Sequence, residues 1–201
     1  MLYAHQGKSP SVHATSHVAP NAVLCGDVTV GPNCSIGFGA VLNAESGPIS
    51  IGANCVIMET AVLRGVQSHP LRLGDYVMVG PRAYLCGCTV DDQVFLATGA
   101  TVFNGARIGQ GAEVRINGLV HINTVLPADA TVPINWVAVG NPAEILPAEA
   151  HDRIWAIQKT LNFPGTVFGV DRPPPGQSMM TDVMPRYAGF LVKAHKGDEP
   201  V

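Results

Sequence analysis

Residues 90–120 read Val90-Asp91-Asp92-Gln93-Val94-Phe95-Leu96-Ala97-Thr98-Gly99-Ala100-Thr101-Val102-Phe103-Asn104-Gly105-Ala106-Arg107-Ile108-Gly109-Gln110-Gly111-Ala112-Glu113-Val114-Arg115-Ile116-Asn117-Gly118-Leu119-Val120. Val90, Leu96, Val102, Ile108, Val114 and Val120 fall on every sixth position. Working back, the same beat runs through Leu73, Val79 and Leu85, then Ile51, Ile57 and Leu63, then Val12, Val18, Leu24, Val30, Ile36 and Leu42. It slips at Ser46-Gly47-Pro48 and at Val66-Gln67-Ser68-His69-Pro70, and shortens by one between Leu85 and Val90. A second set keeps the same time four residues later, where the side chain is small or slim: Ala22, Val28, Cys34, Ala40, Cys55, Ala61, Val77, Ala83, Ala100, Ala106 and Ala112. Glycine directly follows the aliphatic residue at 31, 37, 52, 74, 80 and 109. A corner there requires either positive φ or a close backbone approach.

A period of six is neither the 3.6 of an amphipathic helix nor a long alternation of period 2. It fits a short strand with one large and one small inward residue, followed by a turn. Three such strands close one triangular coil, and stacking coils buries ladders that one coil alone leaves exposed. The chain is therefore expected to be all-β, a left-handed parallel β-helix of hexapeptide repeats with about six coils over residues 12–124. The β-helix domain is placed at 1–147, with Pro127 to Pro147 an irregular final coil and exit. Residues 148–201 form a C-terminal extension packed on the prism or on a neighbouring subunit. Within it, Pro147 to Phe163 reads as a helix stopped by Phe163-Pro164-Gly165. Asp171 to Ser178 is a linker containing Pro173-Pro174-Pro175, and a last helix runs from Met184 to Lys196 with Tyr187, Phe190, Leu191 and Ala194 on one stripe.

Composition narrows the function classes. The apolar share is 47% and the charged share 13%, which excludes disorder. A net charge of −3 supplies no field for nucleic acid or anionic lipid, so neither is expected as a partner. No apolar run approaches the ~18 residues of a membrane span, and Met1-Leu2-Tyr3-Ala4-His5 lacks the pattern of a secretory leader. Five scattered cysteines suit a reduced compartment better than a disulfide frame. The expected location is cytoplasmic.

Residues 10–45, from Pro10-Ser11-Val12-His13 to Asn43-Ala44-Glu45, resemble the opening of γ-class carbonic anhydrases and their hexapeptide-transferase relatives. So do Val77-Met78-Val79-Gly80, Leu85-Cys86-Gly87-Cys88 and the exit Val139-Gly140-Asn141-Pro142-Ala143. The resemblance covers about residues 10–147. It implies a homotrimer with sites between subunits, where active members bind one zinc through three histidines, two from one chain and one from its neighbour. Carried over position by position, the family's Arg-Gly-Asp becomes Asn43-Ala44-Glu45 and its Gln-Asp becomes Met58-Glu59. The zinc histidines fall on Arg64, Pro81 and Cys86. A guanidinium stays protonated and proline has no side-chain donor atom. No zinc site of the family's kind, no other metal and no cofactor is therefore expected.

The repeat itself stacks Asn43, Arg64 and Cys86, each just past a ladder residue, about 4.8 Å apart, with Cys25 below and Phe103 and His121 above. The candidate catalytic residues at this pocket are Arg64, Cys86, Glu45 and Glu59. Arg64, Asn43 and Pro81 are the candidates for holding a small molecule at the subunit interface. Arg64 either grips a substrate anion or forms an intersubunit ion pair with Glu45 or Glu59. Cys86 is either a thiolate nucleophile lowered by Arg64 or a small half-buried residue. His121 is read as a surface histidine near the prism's end rather than a general base, and His13 and His17 as surface residues. Cys34 and Cys55, in the small-residue slot, are read as core. Three functions stay open. One is a scaffold or assembly subunit without carbonic anhydrase activity. Another is a metal-free enzyme of the interfacial cleft, such as an acyl or CoA-ester transferase or thioesterase. The last is a repurposed metal site built on Cys86, with Cys88 and His69.

Overall fold

The computed structural model describes residues 1–174 and 176–201; Pro175, the last of the proline triplet, lies outside the described residues. The chain winds into a triangular prism of parallel strands. The first face stacks the first half of Val23–Val30, the first half of Val41–Ile51, then Val62–Arg64, Tyr84–Cys86, Thr101–Val102, Leu119–Val120 and Trp136–Val139. The second runs from Ser11–Val12 through the second halves of the two long strands to Leu71–Leu73, Thr89–Val90, Arg107–Ile108 and Val125–Leu126. The third is a seven-stranded sheet from His17–Val18 to Thr131–Val132. The regular coils therefore continue past residue 124. Leu126, Val132 and Ala138 carry the ladder one coil further than expected and are as buried as the rest.

The six-residue beat is the core. From Leu24 to Val120 its ladder residues are all buried, and Val12 and Val18 at the open end pack partly against them. The small slot faces the same interior, and Cys34 and Cys55 are core residues there, as read from the repeat. The glycines after the ladder residues serve a close approach, not positive φ. A Cβ at Gly31 would lie 2.6 Å from the carbonyl oxygen of Gly52, one coil above. The left-handed residue comes two positions later, as at Asn33 and Asn54, where asparagine tolerates it well.

Ser46-Gly47-Pro48 is not a loop: it stays within the continuous strand Val41–Ile51, because Gly65 lies against it and its carbonyl accepts from Ser46 and Gly47. The second slip folds into a tight turn bridged between Val66 and His69.

The segment expected as one helix from Pro147 to Phe163 is broken up. Glu144–Pro147 first pairs antiparallel with Trp136–Val139. Helix α1 spans His151–Gln158, and a 3-10 turn covers Lys159–Leu161. The break is at Asn162, in the left-handed region. Phe163-Pro164-Gly165, expected as a stop, opens helix α2, Phe163–Phe168, because proline is tolerated in a first turn. Helix α3 spans Met180–His195, beginning before Pro185 instead of beside it. Buried Val183 holds the added turn. Phe190, placed on the stripe from sequence, is exposed, so the inward row is Val183, Tyr187, Leu191 and Ala194. The last strand, Glu199–Pro200, returns to pair with Leu2–Ala4 at the first coil. Among the described residues no helix is long and apolar enough to cross a membrane.

Candidate functional site

Just past the inward ladder, the first face carries one column of side chains. Register pairs Cys25 with Asn43, Asn43 with Arg64 and Arg64 with Cys86; Phe103 and His121 continue it upward. This is the stacking the repeat predicts. Both insertions, at 46–48 and 66–70, turn the corner beside this column, so their residues Ser46, Val66, Gln67 and Ser68 wall the same space.

Arg64 is committed. Its Nη2 is ion-paired with Oε2 of Glu45 and donates to the Tyr187 hydroxyl at 3.0 Å. That hydroxyl donates to the other Glu45 oxygen at 3.4 Å. Glu45 is 4% exposed, so the pair sits in a poorly hydrated setting. Burial alone lowers the guanidinium pKa, but the Tyr187 and Tyr84 hydroxyls and the Glu45 carboxylate outweigh it and raise it. The ion pair expected between subunits thus forms within one chain, and its partner is Glu45, not Glu59. Glu59 is exposed at the corner that leads into the first face, at the opposite end from Arg64. Pro81 sits at that same corner and does not line the cavity beside Arg64.

The cavity encloses about 290 Å³. Arg64, Cys86 and Asn104 give it a polar floor, and Phe163 and Phe168 of α2 with Phe190 of α3 roof it. The tail therefore covers the cleft of its own chain. One reading of Cys86 expected an activated thiolate. Cys86 is 5% exposed, and burial raises its pKa against the opposing pull of Tyr84, Arg64 and Asn104. Among the described residues, the buried side-chain carbonyl oxygen of Asn43 has no hydrogen-bond partner. His121 is not a surface residue: it is 8% exposed, under Ile154 of α1 and Phe163 of α2. Burial lowers its pKa, and its Nδ1 has no partner among the described residues. His13 and His17 are exposed, as read from sequence.

As a zinc set, Arg64, Pro81 and Cys86 do not fit. One is a cation held by a carboxylate and one has no donor atom, which leaves the Cys86 thiol as a single possible ligand of the three. Nor does Cys86-Gly87-Cys88 gather a site with His69. Cys88 points into the core while Cys86 points to the cavity. Tyr84 and Tyr187, both partners of Arg64, were not visible as site residues in the sequence. Tyr187 showed only as one member of an apolar stripe.

Comparison with known proteins agrees with this fold. The family model for "Bacterial transferase hexapeptide (six repeats)" matches residues 9–44. Gamma carbonic anhydrase 1, mitochondrial, of Arabidopsis thaliana is 34% identical over 145 residues, 69% of this chain and 50% of that protein. This is a γ-carbonic-anhydrase-like protein of the hexapeptide-repeat superfamily. A carbonic anhydrase of Geobacillus kaustophilus is 30% identical over 111 residues, 55% of this chain and 61% of its own. The crystal structure of an acetyltransferase candidate from Bacillus cereus superposes with TM-score 0.63 at 28% identity, covering 80% of this chain and 91% of that one. The chain spans about half or less of the length of the first curated relatives it matches.

Proposed function

We propose that this γ-carbonic-anhydrase-like chain is a homotrimeric scaffold or assembly subunit without carbonic anhydrase activity. The observation that carries the reading is the Glu45–Arg64–Tyr187 cluster. At the position where the family resemblance places a zinc ligand, a permanent cation is neutralised by a buried carboxylate. Zinc-hydroxide chemistry needs a metal with an open position that lowers a water pKa to about 7, and this cluster supplies neither ligand nor open position. The trimer is supported by the outward side of the first face. Val23, Val41 and Val62 form an apolar row in register, and Phe38, Ile116 and Ile134 stand exposed along its entry corner. The five free, buried thiols support the cytoplasmic location that belongs to this reading.

The test is stopped-flow CO2 hydration on the untagged chain, alone and after incubation with zinc, cobalt or ferrous iron. The expected rate is that of buffer in every case. A saturable acceleration in any of them overturns the proposal.

A second reading, a metal-free acyl or CoA-ester enzyme, rests on the aromatic-roofed cavity. It requires Arg64 to leave Glu45 for an incoming anion. Thermal shift with CoA and short acyl-CoAs tests it, with a stabilisation that disappears in Arg64→Ala as its signature.

A further inference from the structure

Four metal-capable side chains from distant stretches of the chain meet at the foot of the first face. His5 follows the strand Leu2–Ala4, Cys25 is the base of the column, His195 ends α3, and Asp198 precedes the last strand. One ligand atom of each lies within 4.8 Å of all the others. Nδ1 of His5 is 2.6 Å from Oδ1 of Asp198, and Nδ1 of His195 is 2.7 Å from its Oδ2. Sγ of Cys25 is 3.7 Å from the same Oδ2. His5 and Cys25 are buried, and His195 and Asp198 half-buried.

Three arguments turn this cluster into a site. The first is spacing. Tetrahedral zinc with bonds of about 2.0–2.3 Å sets its ligand atoms roughly 3.3–3.8 Å apart, so shifts within side-chain reach suffice. The second is the tautomer of His5. Its Nε2 is 3.0 Å from the carbonyl oxygen of Glu45, which can only accept, so the proton sits on Nε2. The Gln6 side-chain nitrogen lies 3.1 Å from the same ring nitrogen; a 180° turn of the amide brings its oxygen there to share that proton. Nδ1 stands at hydrogen-bond distance from the Asp198 carboxylate, and a metal would take the place of the proton this contact shares. A ring fixed by a backbone carbonyl, with the free nitrogen turned inward, is the outer support that ligating histidines use. The third is charge. Without a metal the Cys25 thiol donates toward Oδ2 of Asp198, and a divalent ion in that proton's place would balance the carboxylate and the thiolate together.

We propose that His5, Cys25, His195 and Asp198 form a structural site for a divalent thiophilic metal, zinc foremost, that staples the end of α3 to the first coils. The thiolate and two imidazoles favour zinc or cobalt over magnesium or calcium. Four protein ligands leave no open position, as in a structural site. On binding, Cys25 releases its thiol proton to solvent as the metal–sulfur bond forms. The site is separate from Arg64, two rungs below it in the column, but α3 carries both Tyr187 over the cavity and His195 at the staple.

Untagged full-length chain, stripped with chelator, is titrated with Co2+ alone. The expected result is saturation at one equivalent per chain, with a thiolate-to-cobalt charge-transfer band and the strong visible bands of tetrahedral cobalt. Zinc added afterwards bleaches both and raises the thermal midpoint. Cys25→Ser abolishes the charge-transfer band. His195→Ala, at a partly exposed helix end and so compatible with folding, weakens binding by about ten-fold or more. Cys86→Ser keeps the band. Absence of the band in the parent chain, its survival in Cys25→Ser or its loss in Cys86→Ser overturns the site. None of these readouts depends on CO2 hydration, so this proposal and the scaffold reading fail separately.

Discussion

A guanidinium and a carboxylate taken from water together are stable only while both remain. Removing one partner of a buried pair leaves an uncompensated charge and costs about 3–5 kcal/mol, whereas replacing both with well-packed apolar groups is often close to neutral. The side chain of Glu45 is 5% exposed and that of Arg64 26%, so the lower part of that range applies. Arg64→Met is expected to destabilise by about 3 kcal/mol in urea unfolding, and Glu45→Gln/Arg64→Met to recover most of it. A single variant within about 0.5 kcal/mol of the parent, the usual effect of a surface change, shows that the pair is solvated and the site open. His121 makes a second prediction at this scale. Burial lowers its pKa below the ordinary 6.5, so the unfolded chain takes up the proton first as pH falls. Stability contributed by the neutral ring is complete above 6.5 and declines below it until the folded state also protonates. His121→Gln should flatten the fall in thermal midpoint between pH 7 and 5; an unchanged slope removes His121 from the account.

At the scale of elements, the packing of two glycines decides how the insertions sit beside the site. A Cβ on Gly65 would stand 2.2 Å from the carbonyl oxygen of Gly47 and 2.8 Å from that of Pro48. Gly65→Ala is therefore expected to cost about 2–3 kcal/mol, the scale of overpacking a tight interior. Gly189 is the contrast: it lies inside α3 with open space where a Cβ would go. Gly189→Ala should add about 1 kcal/mol through helix propensity and a stiffer unfolded chain. Thermal unfolding of both reads the difference, and a neutral Gly65→Ala means the long strand can shift at Ser46. The coils were legible in sequence because each repeats a local rule, one inward aliphatic per six residues. So was the Cys25–Asn43–Arg64–Cys86 column, which follows from register alone. The tail was not, because its helices are short and take their limits from tertiary burial: Val183 adds a turn to α3 that no periodicity announces. The partners of Arg64 were half legible for the same reason. Glu45 lies near in sequence, while Tyr187 reaches the site only through the docking of α3.

For the whole molecule, the ends of the first face matter together. Arg64 and Cys86 stand at its exit and Pro81 and Glu59 at its entry, and the family resemblance assigns such positions to one site shared between neighbouring chains. A trimer that joins exit to entry in this way turns the first face toward its threefold axis. The outward row Val23, Val41 and Val62 would then be buried in the assembly, with the entry corner against a neighbour. In the single chain, Ile116 is 45% and Ile134 54% exposed on neighbouring coils of that edge, and Phe38 is 55% exposed further down it, beyond Thr98, Pro81 and Glu59. Scattered exposed apolar residues are ordinary, but these stand on the edge that the shared-site geometry turns toward a neighbour. Phe38→Glu/Ile116→Glu changes only exposed positions, so the coil itself should fold with an unchanged far-ultraviolet spectrum. Light scattering after gel filtration is expected to give three times the 21.0 kDa chain for the parent and a single chain for the variant. Like charges placed against a neighbour's apolar edge would be desolvated without partners. A monomeric parent removes the shared-site geometry altogether, and a variant that stays trimeric moves the contact to another face.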